Sequence, residues 1–151
     1  MSQRISVTVA AVIQREGRFL MVEEEADGGL RINQPAGHLE PGESLADGAV
    51  RETLEETAYR FVPRALLGVY RWRHPKGLTY IRFAFAGEAD GPEPGRELDQ
   101  GIVRAVWLSA EELRADSARH RSPLVQRCVD DYLAGRRYPL ELIADFPEAG
   151  T

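Results

Sequence analysis

The stretch from Gly37 to Tyr59, GHLEPGESLADGAVRETLEETAY, restricts the fold more than any other part of the chain. Ser44 has the chemistry of a helix N-cap, Asp47 stands where it could answer in a capping box, and the following residues read as a helix to about Thr57. On that helix Glu52, Glu55 and Glu56 are spaced i, i+3, i+4, so their carboxylates share one face. Like charges at that spacing repel by about a few tenths of a kcal/mol per contact. A hard divalent cation would offset the repulsion, because Mg²⁺ selects carboxylate and carbonyl oxygens. A solvated acidic face would carry the same three residues, and Arg51 with Asp47 would then be an ordinary surface pair. The segment upstream separates the two readings. Gly37, Pro41-Gly42 and Glu43 form a tight loop into the helix, where carbonyls could turn toward a cation and helix-start amides could face an anion.

Around this segment the pattern alternates irregularly between strands and helices, which predicts a mixed sheet packed between helices. Ile5 to Ile13 is rich in Val, Ile and Ala and reads as a strand. Gln14 to Gly17 reads as a turn and Arg18 to Glu23 as the partner strand. Glu24 to Asn33, polar and containing Asp27-Gly28-Gly29, reads as a loop. Two more strands are predicted at Leu66 to Arg73 and Thr79 to Ala86, with a turn at Pro75-Lys76-Gly77. Asp90 to Gln100 is the most loop-like stretch, and Val103 to Leu108 is the last strand. Ser109 caps a short helix with Glu112 three residues on. Ser122-Pro123 opens a longer helix with Pro at its first position, and Gly135 stops it. Leu124, Val125, Cys128, Val129, Tyr132 and Leu133 give that helix an apolar stripe, which reads as core. Cys128 therefore reads as a small buried residue and not a nucleophile.

At 151 residues, with 43% hydrophobic and 28% charged, the chain has the length and composition of one globular domain that needs no disulfide. Its single cysteine cannot form an internal bridge and fits a reducing cytoplasm. No apolar run approaches membrane-spanning length, and the N-terminal residues lack a signal-peptide pattern. The formal net charge of −5 argues against a nucleic-acid backbone as partner. An acidic protein acting on phosphates needs local positive charge or bound cations at its site.

The segment from Gly37 to Glu56 resembles the Nudix box: a Gly, five residues, a Glu, seven residues, Arg-Glu, two residues, then Glu-Glu. Here these are Gly37, Glu43, Arg51, Glu52, Glu55 and Glu56. The family pattern has an aliphatic residue where this chain has Thr53, and a Gly where it has Ala58. If position 58 must be left-handed, Ala there costs on the order of 1 kcal/mol, so the helix is expected to end a little differently from the family pattern. Neither departure touches a carboxylate.

The resemblance implies an α/β (α+β) fold, a Nudix-type α/β/α sandwich with a mixed sheet, as a single domain over residues 1–151. It implies a hydrolase of phosphoanhydride bonds that uses Mg²⁺, with Mn²⁺ able to substitute. Glu52 and Glu56 are implied as principal metal ligands, Glu55 as ligand of a further ion or as base, and the carbonyl of Ala36 or Gly37 as an additional ligand. Arg51 is implied to orient a box carboxylate, and Glu43 with Gly42 to hold loop against helix. An acid from the loop before the last strand is frequent in the family, which draws attention to Asp99, with Glu97 nearby, although an exposed loop acid needs no function.

The stretches NQPAGHLE, WLSAEEL, RSPLV and RYPLELIADF lie largely outside the box and resemble one bacterial Nudix phosphatase subfamily. That subfamily removes the terminal phosphate of nucleoside tri- and diphosphates and acts on hydroxymethylpyrimidine pyrophosphate and thiamine pyrophosphate. The expected partner is therefore a small nucleotide or pyrophosphate, with no nucleic acid or membrane, and the protein is expected as a monomer or homodimer. Tyr70-Arg71-Trp72-Arg73-His74 alternates aromatic and basic residues, so one face could hold phosphates or stack a ring. Packed aromatics and solvated arginines would look the same. His38 stands beside Gly37 and could touch a phosphate; His74 and His120 are weaker candidates; Arg82 could reach a phosphate, though a surface pair is the stronger expectation. Two other readings share these features: an enzyme for ADP-ribose, a dinucleotide polyphosphate or an oxidised nucleotide, and a nucleotide-sensing domain without catalysis. Sensing domains usually lose box glutamates, and this chain keeps them.

Overall fold

A computed structural model describes residues 4–147. The elements in chain order are β1 (Ile5–Arg15), β2 (Arg18–Ala26), β3 (Gly29–Asn33), β4 (Ala36–His38), α1 (Leu45–Thr57), β5 (Arg60–Arg73), β6 (Thr79–Asp90), β7 (Ile102–Ser109), α2 (Ala110–Ala115) and α3 (Leu124–Leu133). β1 is the hub. Its residues Val9 to Ile13 are all buried, as expected of a strand that is apolar on both faces and covered on both. It runs parallel to β6, from Ile5 opposite Thr79 to Ile13 opposite Gly87. On its other edge it pairs antiparallel with β4 and, near its end, with β2. The sheet order is β3-β2-β1-β6-β5, with β4 also on β1 and β7 also on β2.

Alternation along β1 sorts two cores. Val9, Ala11 and Ile13 pack with Ala49 of α1, and Ala10 and Val12 pack with Val125, Cys128 and Val129 of α3. The mixed sheet thus lies between α1 on one face and α3 on the other, the α/β/α sandwich anticipated from the sequence. Ser109 closes α2 with a full capping box. Gly135, with φ 83°, ends α3 while the Arg136 and Gly135 amides bond back to the Asp131 and Tyr132 carbonyls, a Schellman stop.

Three local expectations need correction. Glu24 to Asn33 is not a loop: β2 continues to Ala26, Asp27-Gly28 makes a tight hairpin turn, and β3 follows. Acidic residues hid the strand. Glu23 is buried but sits between Arg104 and Arg119 at 2.5 and 3.0 Å, which hold its carboxyl below the usual range, and Glu24 pairs with Arg121 at 2.9 Å. β5 and β6 extend to Arg60 and Asp90, with an Arg64–Glu88 pair tying their polar ends at 2.8 Å. Finally, α1 does end left-handed. Ala58 has φ 66° and ψ 10°, so the position where the family pattern has Gly keeps its conformation and Ala carries the strain.

Candidate active site

Arg51 organises the approach to α1. A turn at Gly42, with φ 87°, brings Glu43 back so that its Oε1 accepts from the Glu40 amide at 2.9 Å. Arg51 then donates to Glu43 from both Nε (2.9 Å) and Nη2 (2.7 Å), a two-pronged charge-assisted contact. The same Nη2 donates to the His38 carbonyl at 3.1 Å, and Nη1 donates to Glu52 Oε1 at 2.5 Å and Glu55 Oε1 at 3.0 Å. One guanidinium therefore joins the loop, β4 and two helix carboxylates. It holds the Glu43 carboxyl below its ordinary range, and the carboxylates in turn keep Arg51 firmly protonated.

The remaining carboxylates are less well neutralised. Glu56 is 7% exposed and its Oε1 accepts from the Ala36 amide at 3.0 Å. Among the described residues no Lys or Arg pairs with it. Burial pushes its pKa up to about 9, with the nearby charges of Glu52, Glu24 and Asp99 adding to the shift and the Ala36 amide opposing it. Glu52 is also buried and raised by burial, against the pull of Arg51. Its carboxylate lies directly on the β4 backbone: a Cβ at Gly37 would fall inside it, so only glycine leaves that carboxylate where it lies. Glu55 is half-buried, and its backbone carbonyl accepts from the Asp99 amide at 3.0 Å, which brings the loop before β7 to the end of α1.

These groups fit a hard divalent cation. They supply oxygen donors only, one of them buried with no cationic partner, beside a backbone stripped of its Cβ. Among the described residues no three acidic, His or Cys groups already converge as a coordination set, because Arg51 and the Ala36 amide engage these oxygens instead.

A cavity of about 720 Å³ opens at this point, lined by Ala36, Gly37, Glu52 and Glu56 and also by Trp72, His74 and Tyr80. Trp72 and Tyr80 stack with centroids 5.7 Å apart and an interplanar angle of 18°. His38 lines the same cavity, its Nδ1 2.7 Å from the Ser6 hydroxyl. Arg71 and Arg73 do not line it. Both are exposed, because alternation along β5 gives the cavity side to Trp72. His74 lines the cavity, whereas His120 hydrogen-bonds the Leu113 carbonyl from its Nε2. Arg82 is not in a surface pair: it is 5% exposed and lines the cavity floor with Thr8 and Asn33. Sequence reasoning missed Tyr80 and Glu24 as cavity residues and ranked a surface pair above a phosphate contact for Arg82. The available signal was the position of Arg82 in an otherwise apolar strand interior, where a charge is rare without a purpose.

The NUDIX domain family model matches residues 2–128. The chain is 43% identical over 140 residues to "Phosphatase NudJ" of Escherichia coli, covering 93% of this chain and 91% of that protein, and equally so to the protein of that name from Shigella flexneri. A NUDIX hydrolase structure from Nitrosomonas europaea superposes with a TM-score of 0.92 at 50% identity, covering 95% of this chain and 98% of the other. A MutT protein structure from Methanosarcina mazei shares the fold at a TM-score of 0.73 and 20% identity. Hydrolases of this family generally use divalent metal ions. The chain belongs to the Nudix family and is a hydrolase of phosphoanhydride bonds in small-molecule substrates, homologous to the phosphatase NudJ.

Proposed function

We propose that this protein uses Mg²⁺, with Mn²⁺ able to substitute, to release inorganic phosphate from nucleoside tri- and diphosphates. Small pyrophosphates such as hydroxymethylpyrimidine pyrophosphate and thiamine pyrophosphate belong to the same range. The observation that carries the reading is the pairing of Glu52 and Glu56, buried and under-neutralised, with the open backbone at Gly37 on the wall of one cavity. Glu52 and Glu56 would hold the metal with the Ala36 or Gly37 carbonyl, and Glu55 would hold a further ion or accept a proton from water. The metal, when bound, neutralises nonbridging phosphate oxygens and polarises that water. Arg51 keeps Glu52 and Glu55 in place while Glu43 and Gly42 keep Arg51 in place. Trp72 and His38, on the cavity wall, receive the organic part of the substrate, for which a stacked aromatic surface is tolerant of ring type.

The 43% identity to a protein named a phosphatase supports attack at the terminal phosphorus. The chain acts as one domain, in the cytoplasm, as a monomer or homodimer. Incubation of a nucleoside triphosphate with Mg²⁺ is expected to release orthophosphate first, with the diphosphate accumulating before the monophosphate. Pyrophosphate and monophosphate as initial products would overturn terminal attack, and nucleotide binding without turnover would make the protein a sensor.

A further inference from the structure

A second cavity, of about 590 Å³, lies along β5, the last strand in the sheet order, where α3 and the segment after it pass. Every residue of β5 from Leu66 to Arg71 lines it. Side chains alternate between the two faces of a strand, so a cavity that meets all of them follows the strand's edge. One end of that edge is closed, because Leu66 and Tyr138 exchange both backbone hydrogen bonds at 2.8 Å. Leu67 and Leu124 add apolar wall, and Val69, Tyr138 and Leu142, all exposed, meet at the rim as one apolar patch.

The polar wall carries surplus positive charge. Asp131 of α3 is buried and its carboxylate is fully engaged. The Tyr70 hydroxyl donates to Oδ2 at 2.7 Å, Arg127 Nε donates to Oδ2 and Oδ1 at 3.0 and 3.1 Å, and Arg136 Nε stands 3.4 Å from Oδ1. One arginine would neutralise one aspartate. This cavity sets Arg71, Arg127 and Arg136 against that single acid, in a chain whose net charge is −5. Arg127 and Arg136 meet Asp131 through Nε, and among the described residues their Nη nitrogens make no hydrogen bond to another side chain. Among the same residues Arg71 makes no ion pair. Charged side chains also guard open strand edges against other chains. Guarding requires neither a cavity nor an apolar wall beneath the charges.

We propose that this cavity is a second ligand site, separate from Glu52 and Glu56, for a small organic carboxylate with an apolar body. Asp131 shows how these guanidinium groups take a carboxylate: it occupies their Nε edges and leaves the Nη edges for another. The apolar body lies against Leu67, Leu124 and Leu142. A neutral compound of the same shape finds only that wall, and a cation is repelled. Leu124 lines both cavities, so the start of α3 stands between this ligand and the catalytic groups.

The test titrates the full chain with octanoate and follows backbone amide shifts by NMR, beside 1-octanol and octylammonium. Octanoate is expected to move the amides of Gly68 to Arg71 and of Arg136 to Tyr138 to a plateau, and to leave Gly37 and Glu52 in place. Octanol should bind about tenfold more weakly, since it lacks the charge-assisted hydrogen bonds. Arg71→Gln removes a side chain with no ion pair to lose, so the fold should persist while octanoate weakens about fivefold or more. Arg71→Lys is expected to recover part of the loss. A cavity that is merely apolar would treat the acid and the alcohol alike. Equal affinity for octanoate and octanol, shifts that never reach a plateau, a plateau centred on Gly37 and Glu52, or unchanged octanoate affinity in Arg71→Gln would each overturn the proposal.

Discussion

Replacing Glu56 by Gln keeps an oxygen that can accept from the Ala36 amide and removes only the charge. Turnover with Mg²⁺ is expected to fall by about a hundredfold or more, since one strong electrostatic contact is worth roughly 3–4 kcal/mol at such a centre. The control is Glu111→Gln, exposed on α2, which should be near neutral in the same assay. Glu24 would be a poor control. It lines the cavity and pairs with Arg121, although its sequence surroundings read as a polar loop. A second residue-scale expectation concerns Ala58. Its left-handed backbone should make Ala58→Gly more stable by about 0.5–1 kcal/mol, after loss of a buried methyl is subtracted, read as a shifted urea midpoint with unchanged slope. A lower midpoint would show that the methyl outweighs the strain.

At the scale of elements, β4 and α1 work as a unit because Gly37 lets Glu52 lie against the strand backbone. In Gly37→Ala the new methyl displaces a carboxylate at the end of a flexible side chain, so the fold should survive with about 1 kcal/mol or less lost. Turnover should nevertheless drop by about a hundredfold, because the carboxylate no longer holds its position. Near-normal turnover would mean that Glu52 does not act from where it lies. Much of this element pair was legible beforehand. The i, i+3, i+4 acids and Ser44 placed α1 to within a residue of its observed start, and Ser44 does accept from the Asp47 amide at 3.1 Å. β3 was not legible, because Glu23, Glu24 and Glu25 masked the strand pairing and the arginine partners of Glu23 and Glu24 lie far along the chain. The basic run at Arg71 and Arg73 misled for a related reason. Alternation says which residues share a face but not which face borders the cavity, and only the packing of β5 on β6 decides that. Arg82 read as a surface residue until the sheet order put it inside.

For the molecule as a whole, Glu56 ties stability to pH in the direction opposite to a salt-bridged acid. Its carboxyl has a pKa near 9 when folded, against 4.5 for the ordinary group, so the folded protein keeps a proton that the unfolded chain has released. Between these values stability without metal should therefore decline as pH rises, whereas the arginine-held Glu23 and Glu43 lose their contribution only as pH falls through the ordinary carboxyl range. A cation that binds the ionised form reverses the decline. The gain in Tm from Mg²⁺ over chelator should be larger at about pH 9 than at about pH 6, and an equal gain would contradict the coupling. The parallel pairing of β1 with β6 sets a different constraint, one of timing. During synthesis β1 leaves the ribosome long before its partner, and a growing chain that stops short of Thr79 exposes one whole edge of its central strand. Any pause in translation before β6 would thus leave a species that can stick to others of its kind through that edge.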